Sequence, residues 1–185
     1  MAMPQSHVEW TLERVHALPD DGNRYEFLDG ELLVSPSPTV GHQRVLARLF
    51  RILQSHVEMI GGYEVFFAPF AVTFSARREL QPDLLVLPLL PDGRGVTQFA
   101  DVGRLTLAVE ALSPSTERTD RVKKRPVYQE EGVPECWMVD LEARTIERWR
   151  PGDTQPDVCR STMDWLPDPA RPPLAIDVEA LFRDA

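Results

Sequence analysis

Cysteine is scarce in this chain of 185 residues: only Cys136 and Cys159 occur, and they form no CxxC spacing. Neither a disulfide framework nor a zinc site is indicated. Cys136 lies in the apolar "ECWMVD" and reads as a reduced core thiol. Long apolar runs are missing too, since the richest, "LLVLPLL", falls far below the roughly 20 residues that a bilayer-spanning helix needs. The opening "MAMPQSHVEW" lacks a positively charged start followed by an apolar core, so the expectation is a cytoplasmic protein with no membrane partner. Positive charge is short as well: 20 Lys and Arg face 29 Asp and Glu, for a net charge of −9. That balance repels polyanions at long range and argues against a protein that coats nucleic acid. Any DNA contact has to be local.

What is present suits one folded domain over residues 1–185, with a core at about 24–150 and a proline-rich extension over 151–185. "VEWTLERVHAL" (Val8 to Leu18) has apolar residues at helical spacing and predicts a short helix. "RYEFL" and "ELLVS" flank Asp29-Gly30, a strong hairpin signal. From Thr39 to Ile60, Val45, Leu49, Ile52, Leu53 and Ile60 line one side of a long amphipathic helix that Gly61-Gly62 ends. Arg44, Arg48 and Arg51 line its other side as neighbours, either a solvated face or a stripe for phosphates. Strands are expected at "YEVFF", "FAVTFS", "PDLLVLP" and "RLTLAVEAL". The last is apolar enough to be a central strand covered on both faces, and a polar loop, "PDGRGVTQFAD", leads to it. A helix over "ERTDRVKKRPVYQEEG" stops at Gly132, with Pro126 restricting its first turn. "ECWMVD" and "RTIERWR" form a second hairpin, and a short strand and helix, "LAIDVEALF", follow the proline-rich stretch with Asp177 as N-cap. The order describes a mixed sheet flanked by helices, of α/β or α+β class.

Two acids interrupt apolar strands. Asp83 begins "DLLVLP" and Glu110 sits inside "LAVEAL", where an unpartnered carboxylate costs several kcal/mol or takes up a proton. Successive strands usually neighbour each other, so these carboxylates can converge. A divalent cation then keeps both charged, and Mg²⁺ or Mn²⁺ suits carboxylate oxygens, a backbone carbonyl and retained water. Such an ion has positions for a phosphate oxygen and a water, the arrangement for phosphodiester hydrolysis. Lys123 and Lys124 open the following helix and can fold back to stabilise charge on the phosphate or help deprotonate water. A plainer reading of each acid stays open: Asp83 as a cap or salt bridge at a strand entrance, Glu110 as the partner of an Arg or Lys in the next helix.

"RYEFLDGELLVSPSPTVGHQRVLARLF", "QPDLLVL", "LAVEALSPSTERTDRVKKRPVYQEEGVPECWMVD" and "IERW" resemble the Uma-type endonucleases, a branch of the PD-(D/E)XK superfamily, from about Tyr25 to Trp149. The resemblance implies a restriction-endonuclease-like fold. By position it implies Asp83 and Glu110 as metal ligands, the Ala111 carbonyl as a third, and Glu31 as a supporting acid. The superfamily's usual lysine position, two after the second acid, holds Leu112 here, so the match moves to Lys124, four residues before Tyr128. His42 falls on the apolar side of the long helix, and the resemblance sets it near the site. Arg44, Arg48 and Lys123 are the expected contacts to a DNA backbone, and the superfamily analogy implies a symmetric homodimer on duplex DNA. Two alternatives are a catalytically inactive nuclease-fold protein that binds nucleic acid or a protein partner, and hydrolysis of another phosphoester.

Overall fold

The computed structural model describes residues 9–97 and 103–183. Val8, Gln98 to Asp101 of the polar loop, and Asp184 lie outside the described residues.

The N-terminal helix is shorter than its apolar pattern: α1 runs Leu12–His16, capped by Thr11, whose side chain accepts from the Arg14 amide. β1 (Arg24–Leu28) and β2 (Glu31–Ser35) form the expected hairpin. Both loop residues take positive φ, Asp29 at 50° and Gly30 at 95°. This is the backbone that the twist of a two-residue hairpin demands, and Asp-Gly supplies it. The long helix α2 (Val40–Ile60) starts at the Thr39 cap and buries His42, Val45, Leu46, Leu49, Leu53, His56, Val57 and Ile60 along one side.

β3 (Tyr63–Phe67) and β4 (Val72–Ser75) follow each other in sequence but enter different sheets. A strand too short to read from its pattern, β5 (Arg78–Leu80), joins β4 to the first hairpin in the order β2-β1-β5-β4. The main sheet has six strands, β10-β9-β8-β7-β6-β3, made of β6 (Leu84–Pro88), β7 (Leu107–Leu112), β8 (Glu135–Asp140), β9 (Thr145–Trp149) and β10 (Asp157–Cys159) with β3. Among the described residues only β7 and β8 pair in parallel, because a helical crossover separates them.

That crossover comprises α3 (Glu117–Thr119), a wide π turn (Asp120–Lys124) and α4 (Arg125–Glu130). The Arg125 amide bonds to the Asp120 carbonyl, five residues back. Pro126 supplies the reason: it has no N–H, and its ring crowds the carbonyl four residues earlier, so the ordinary bond is lost and the helix widens.

Each face of the main sheet meets its own core. On one, Leu84, Val86, Leu107 and Val109 pack against α2 and against the C-terminal segment, β11 (Thr162–Trp165), β12 (Leu174–Asp177) and α5 (Val178–Leu181). On the other, Leu85, Leu87, Ala108 and Leu112 pack against Leu28, Leu33 and Leu80 of the second sheet and Val127 and Tyr128 of α4. β7 is buried along its whole length, as its sequence predicts. Cys136, Trp137, Trp149 and Trp165 are buried, and Asp177 caps α5 through the Ala180 amide. Among the described residues no helix is long and apolar enough to cross a membrane.

Candidate active site

β6 and β7 pair antiparallel through Leu84 with Val109, Leu85 with Ala108 and Val86 with Leu107. One step further along that register sets Asp83 opposite Glu110, the convergence expected from sequence. Both acids are buried, Asp83 at 5% exposure and Glu110 at 0%.

Their partners differ. Asp83 Oδ1 accepts from Arg24 Nη1 at 2.6 Å, and Oδ2 accepts from the Ala111 amide at 2.8 Å with His42 Nε2 at 3.4 Å. Burial opposes its charge, but His42, the Arg24 guanidinium and the Ala111 amide together hold the carboxyl far below the usual carboxylate range. Glu110 Oε1 accepts from Tyr128 Oη at 2.6 Å and from Lys124 Nζ at 3.3 Å. Its Oε2 is buried and has no hydrogen-bond partner. Burial pushes the Glu110 carboxyl well up, Lys124 opposes this, and Asp120, Asp83 and Glu26 add to it.

Lys124 is wholly buried among three acids. Its Nζ lies 2.7 Å from Glu26 Oε2, 3.3 Å from Glu110 Oε1 and 3.3 Å from Asp120 Oδ1. Burial works against the ammonium, and these carboxylates more than compensate, so the lysine stays charged. Glu26 Oε1 accepts from the Gln81 amide at 2.7 Å, tying β1 to the segment that enters β6. The wide turn serves this packing, since Asp120, Lys124 and Tyr128 are all buried at successive spacings of four.

Asp83, Glu110, Lys124, His42 and the Ala111 amide are thus brought together. Glu31 is not: it is exposed at the hairpin tip and pairs there with Lys123, which is itself partly exposed. Of the helix arginines, Arg44 is exposed on α2, whereas Arg48 donates to the carbonyls of Leu181 and Arg183 and so ties down the C-terminal segment. Sequence reasoning passed over Arg24, Glu26, Asp120 and Tyr128. Glu26 carried a readable signal, an acid inside the strand "RYEFL". Asp120 and Tyr128 carried the helical spacing to Lys124.

The residues fit a divalent ion. Four buried carboxylates (Glu26, Asp83, Glu110, Asp120) face two permanent cations (Arg24, Lys124), and burial pushes the Glu110 and Asp120 carboxyls up, a strain that a further cation would relieve. The partnerless Glu110 Oε2 is an oxygen of the hard type that Mg²⁺ or Mn²⁺ takes. Among the described residues no three His, Cys, Asp or Glu side chains are arranged to hold a metal. The donors present are two carboxylates, and Mg²⁺ is an ion that keeps several waters and takes one or two carboxylates. A cleft of about 1200 Å³ opens beside it, and Arg24, His42 and Asp83 reach its wall.

Residues 12–179 match the family model of Uma2, "Putative restriction endonuclease". The crystal structure of "a putative nuclease belonging to DUF820 from Anabaena variabilis ATCC 29413" superposes with a TM-score of 0.75 at 20% identity, over 94% of this chain and 97% of that one. At that identity the likeness concerns the fold, which is the restriction-endonuclease-like one expected. No match was found among curated proteins. With the family model covering nearly the whole chain and the fold agreeing, the chain belongs to the Uma2 family.

Proposed function

We propose that this protein is a DNA endonuclease that depends on Mg²⁺ or Mn²⁺. Asp83 and Glu110 hold the ion, with the Ala111 carbonyl as a main-chain ligand. The observation that carries the reading is the buried Asp83–Glu110 pair, with Glu110 Oε2 left without a partner. A bound ion supplies charge stabilisation at the scissile phosphate and a water of lowered pKa.

The protein's own groups divide the remaining work. Tyr128 and Lys124 both hold Glu110 Oε1, so the free oxygen keeps one orientation. With its ammonium enclosed by Glu26, Glu110 and Asp120, Lys124 fixes this carboxylate and does not serve as a base. Arg24 stands on the cleft side of Asp83. Its bond to Oδ1 orients this carboxylate at the cleft wall.

One observation favours a non-catalytic nuclease-fold binder instead: Arg24 and Lys124 already give Asp83 and Glu110 cationic partners. Nicking of supercoiled plasmid separates the two. The expected result is Mg²⁺-dependent nicking that EDTA stops and that Asp83→Ala and Glu110→Ala each abolish while circular dichroism stays unchanged. Lys124→Met, acting through its hold on Glu110, is expected to slow nicking by roughly 10–100-fold. Identical products with EDTA, or with either acid removed, would refute the catalytic reading.

A further inference from the structure

We infer that the cleft beside Asp83 takes an unpaired strand of DNA, held by stacking of its bases, and not a continuous duplex held through its phosphates. The inference rests on the nuclease reading and names the form of its substrate. Phe67 is the central observation. It ends β3 directly beside the candidate metal ligand: it pairs with Leu84, and the next residue, Ala68, donates its amide to the Asp83 carbonyl at 3.1 Å. Despite this position it is 61% exposed. Its ring meets Phe50 of α2 edge to face, with centroids 5.3 Å apart, which fixes the ring without covering it. Phe50, Phe67 and Tyr25 all line the cleft that Asp83 and Arg24 reach.

An open aromatic face in this cleft is useful to a base, because every base has a π-face. The charge of the cleft is mixed. Arg24 is engaged with Asp83, and Arg51 is exposed with its Nε on the Ala47 carbonyl of its own helix. Asp20, Glu79 and Asp83 line the same space. With a net charge of −9, the chain offers little basic surface for the phosphates of either a duplex or a single strand, so stacking has to supply the affinity. A cleft of about 1200 Å³ is on the scale of small-ligand pockets, which suits one or two splayed nucleotides. Across it, His16 Nε2 lies 2.8 Å from Glu79 Oε1, and Glu79 Oε2 accepts from Thr73 at 2.7 Å, so the imidazole is held in place to meet the polar edge of the strand.

The test is fluorescence anisotropy of the wild-type full chain in EDTA, where no cutting occurs. One labelled oligonucleotide is presented single-stranded and as its blunt duplex. The expected result is tighter binding of the single strand. Phe67→Ala and Phe67→Leu should each weaken it by about tenfold, the loss of one stacked base, whereas Phe67→Trp should preserve it. The leucine variant keeps the apolar area and removes the π-face, so it separates stacking from simple burial. Equal or tighter binding of the duplex, binding of neither form, or unchanged affinity in both Phe67→Ala and Phe67→Leu would overturn the inference. Plasmid nicking under Mg²⁺ would still stand in any of those cases, so failure here is distinguishable from failure of the nuclease reading.

Discussion

Lys124 and Lys123 adjoin in sequence and live in different worlds. Lys124 is sealed among Glu26, Glu110 and Asp120, whereas Lys123 meets Glu31 at the surface. Removing a cation from a buried cluster strands the opposing charges, which typically costs about 3–5 kcal/mol. Lys124→Met is therefore expected to lower stability by about that amount, and Lys123→Met to change it by less than about 0.5 kcal/mol, both read from urea denaturation. Equal effects would contradict the burial difference. The same contrast explains what the sequence revealed at this scale. Glu110 was legible because a long apolar run surrounds it. Glu26 obeys the same logic, but the short strand around it hid the signal. Glu31 is a subtler case. In the hairpin register Glu26 faces Leu33 and Leu28 faces Glu31, so both acids share one side of the sheet. Two strand positions, roughly 7 Å, decide that one reaches Lys124 and the other reaches solvent.

Elements appear where local chemistry is decisive. The first hairpin followed from Asp29-Gly30, and α2 from its apolar period and the Thr39 and Gly61 ends. Because Gly30 has φ 95° and a Cβ there would approach Glu9 Cγ at 3.2 Å, Gly30→Ala is strained whatever the flexible Glu9 does. The expected cost is about 1–2 kcal/mol, seen as a lower urea midpoint with an unchanged slope. The hairpin carries Arg24 and Glu26, so loosening its turn loosens two groups of the site. What stayed illegible were features set by pairing at a distance. β5 is only Arg78–Leu80, too short for any period, and nothing local shows that β3 and β4 join separate sheets. Pro126 signalled a disturbance in its helix. Its form, a wide turn that aims Lys124 inward, depends on the buried acids that await it.

At the scale of the whole molecule, charge governs how a polyanion is met. A duplex binder that neutralises about 6–10 phosphates loses roughly 10³–10⁵ in affinity between about 50 and 200 mM salt. This chain carries −9, Arg24 is paired with Asp83, and Arg48 ties down the C-terminal segment. Its affinity for DNA is expected to fall by less than about tenfold over that range, measured by anisotropy at stepped NaCl. A steep dependence would mean an extensive phosphate interface. The class of fold was legible from the alternation of strands and helices, and the family resemblance from ordered motifs. The depth of the charged cluster, which needs two sheets and a crossover to enclose it, was not.

Placing the buried Lys124 ammonium on the crossover instead of on β7 has one more outcome. Position 112 is released to a leucine that packs in the apolar layer, so the central strand bears a single charge. The centre is then stitched from β1, β6, β7 and the π turn, four stretches that meet only once the crossover has docked. In an unfolded chain these acids are hydrated and far apart, so the charged cluster exists only in the folded protein.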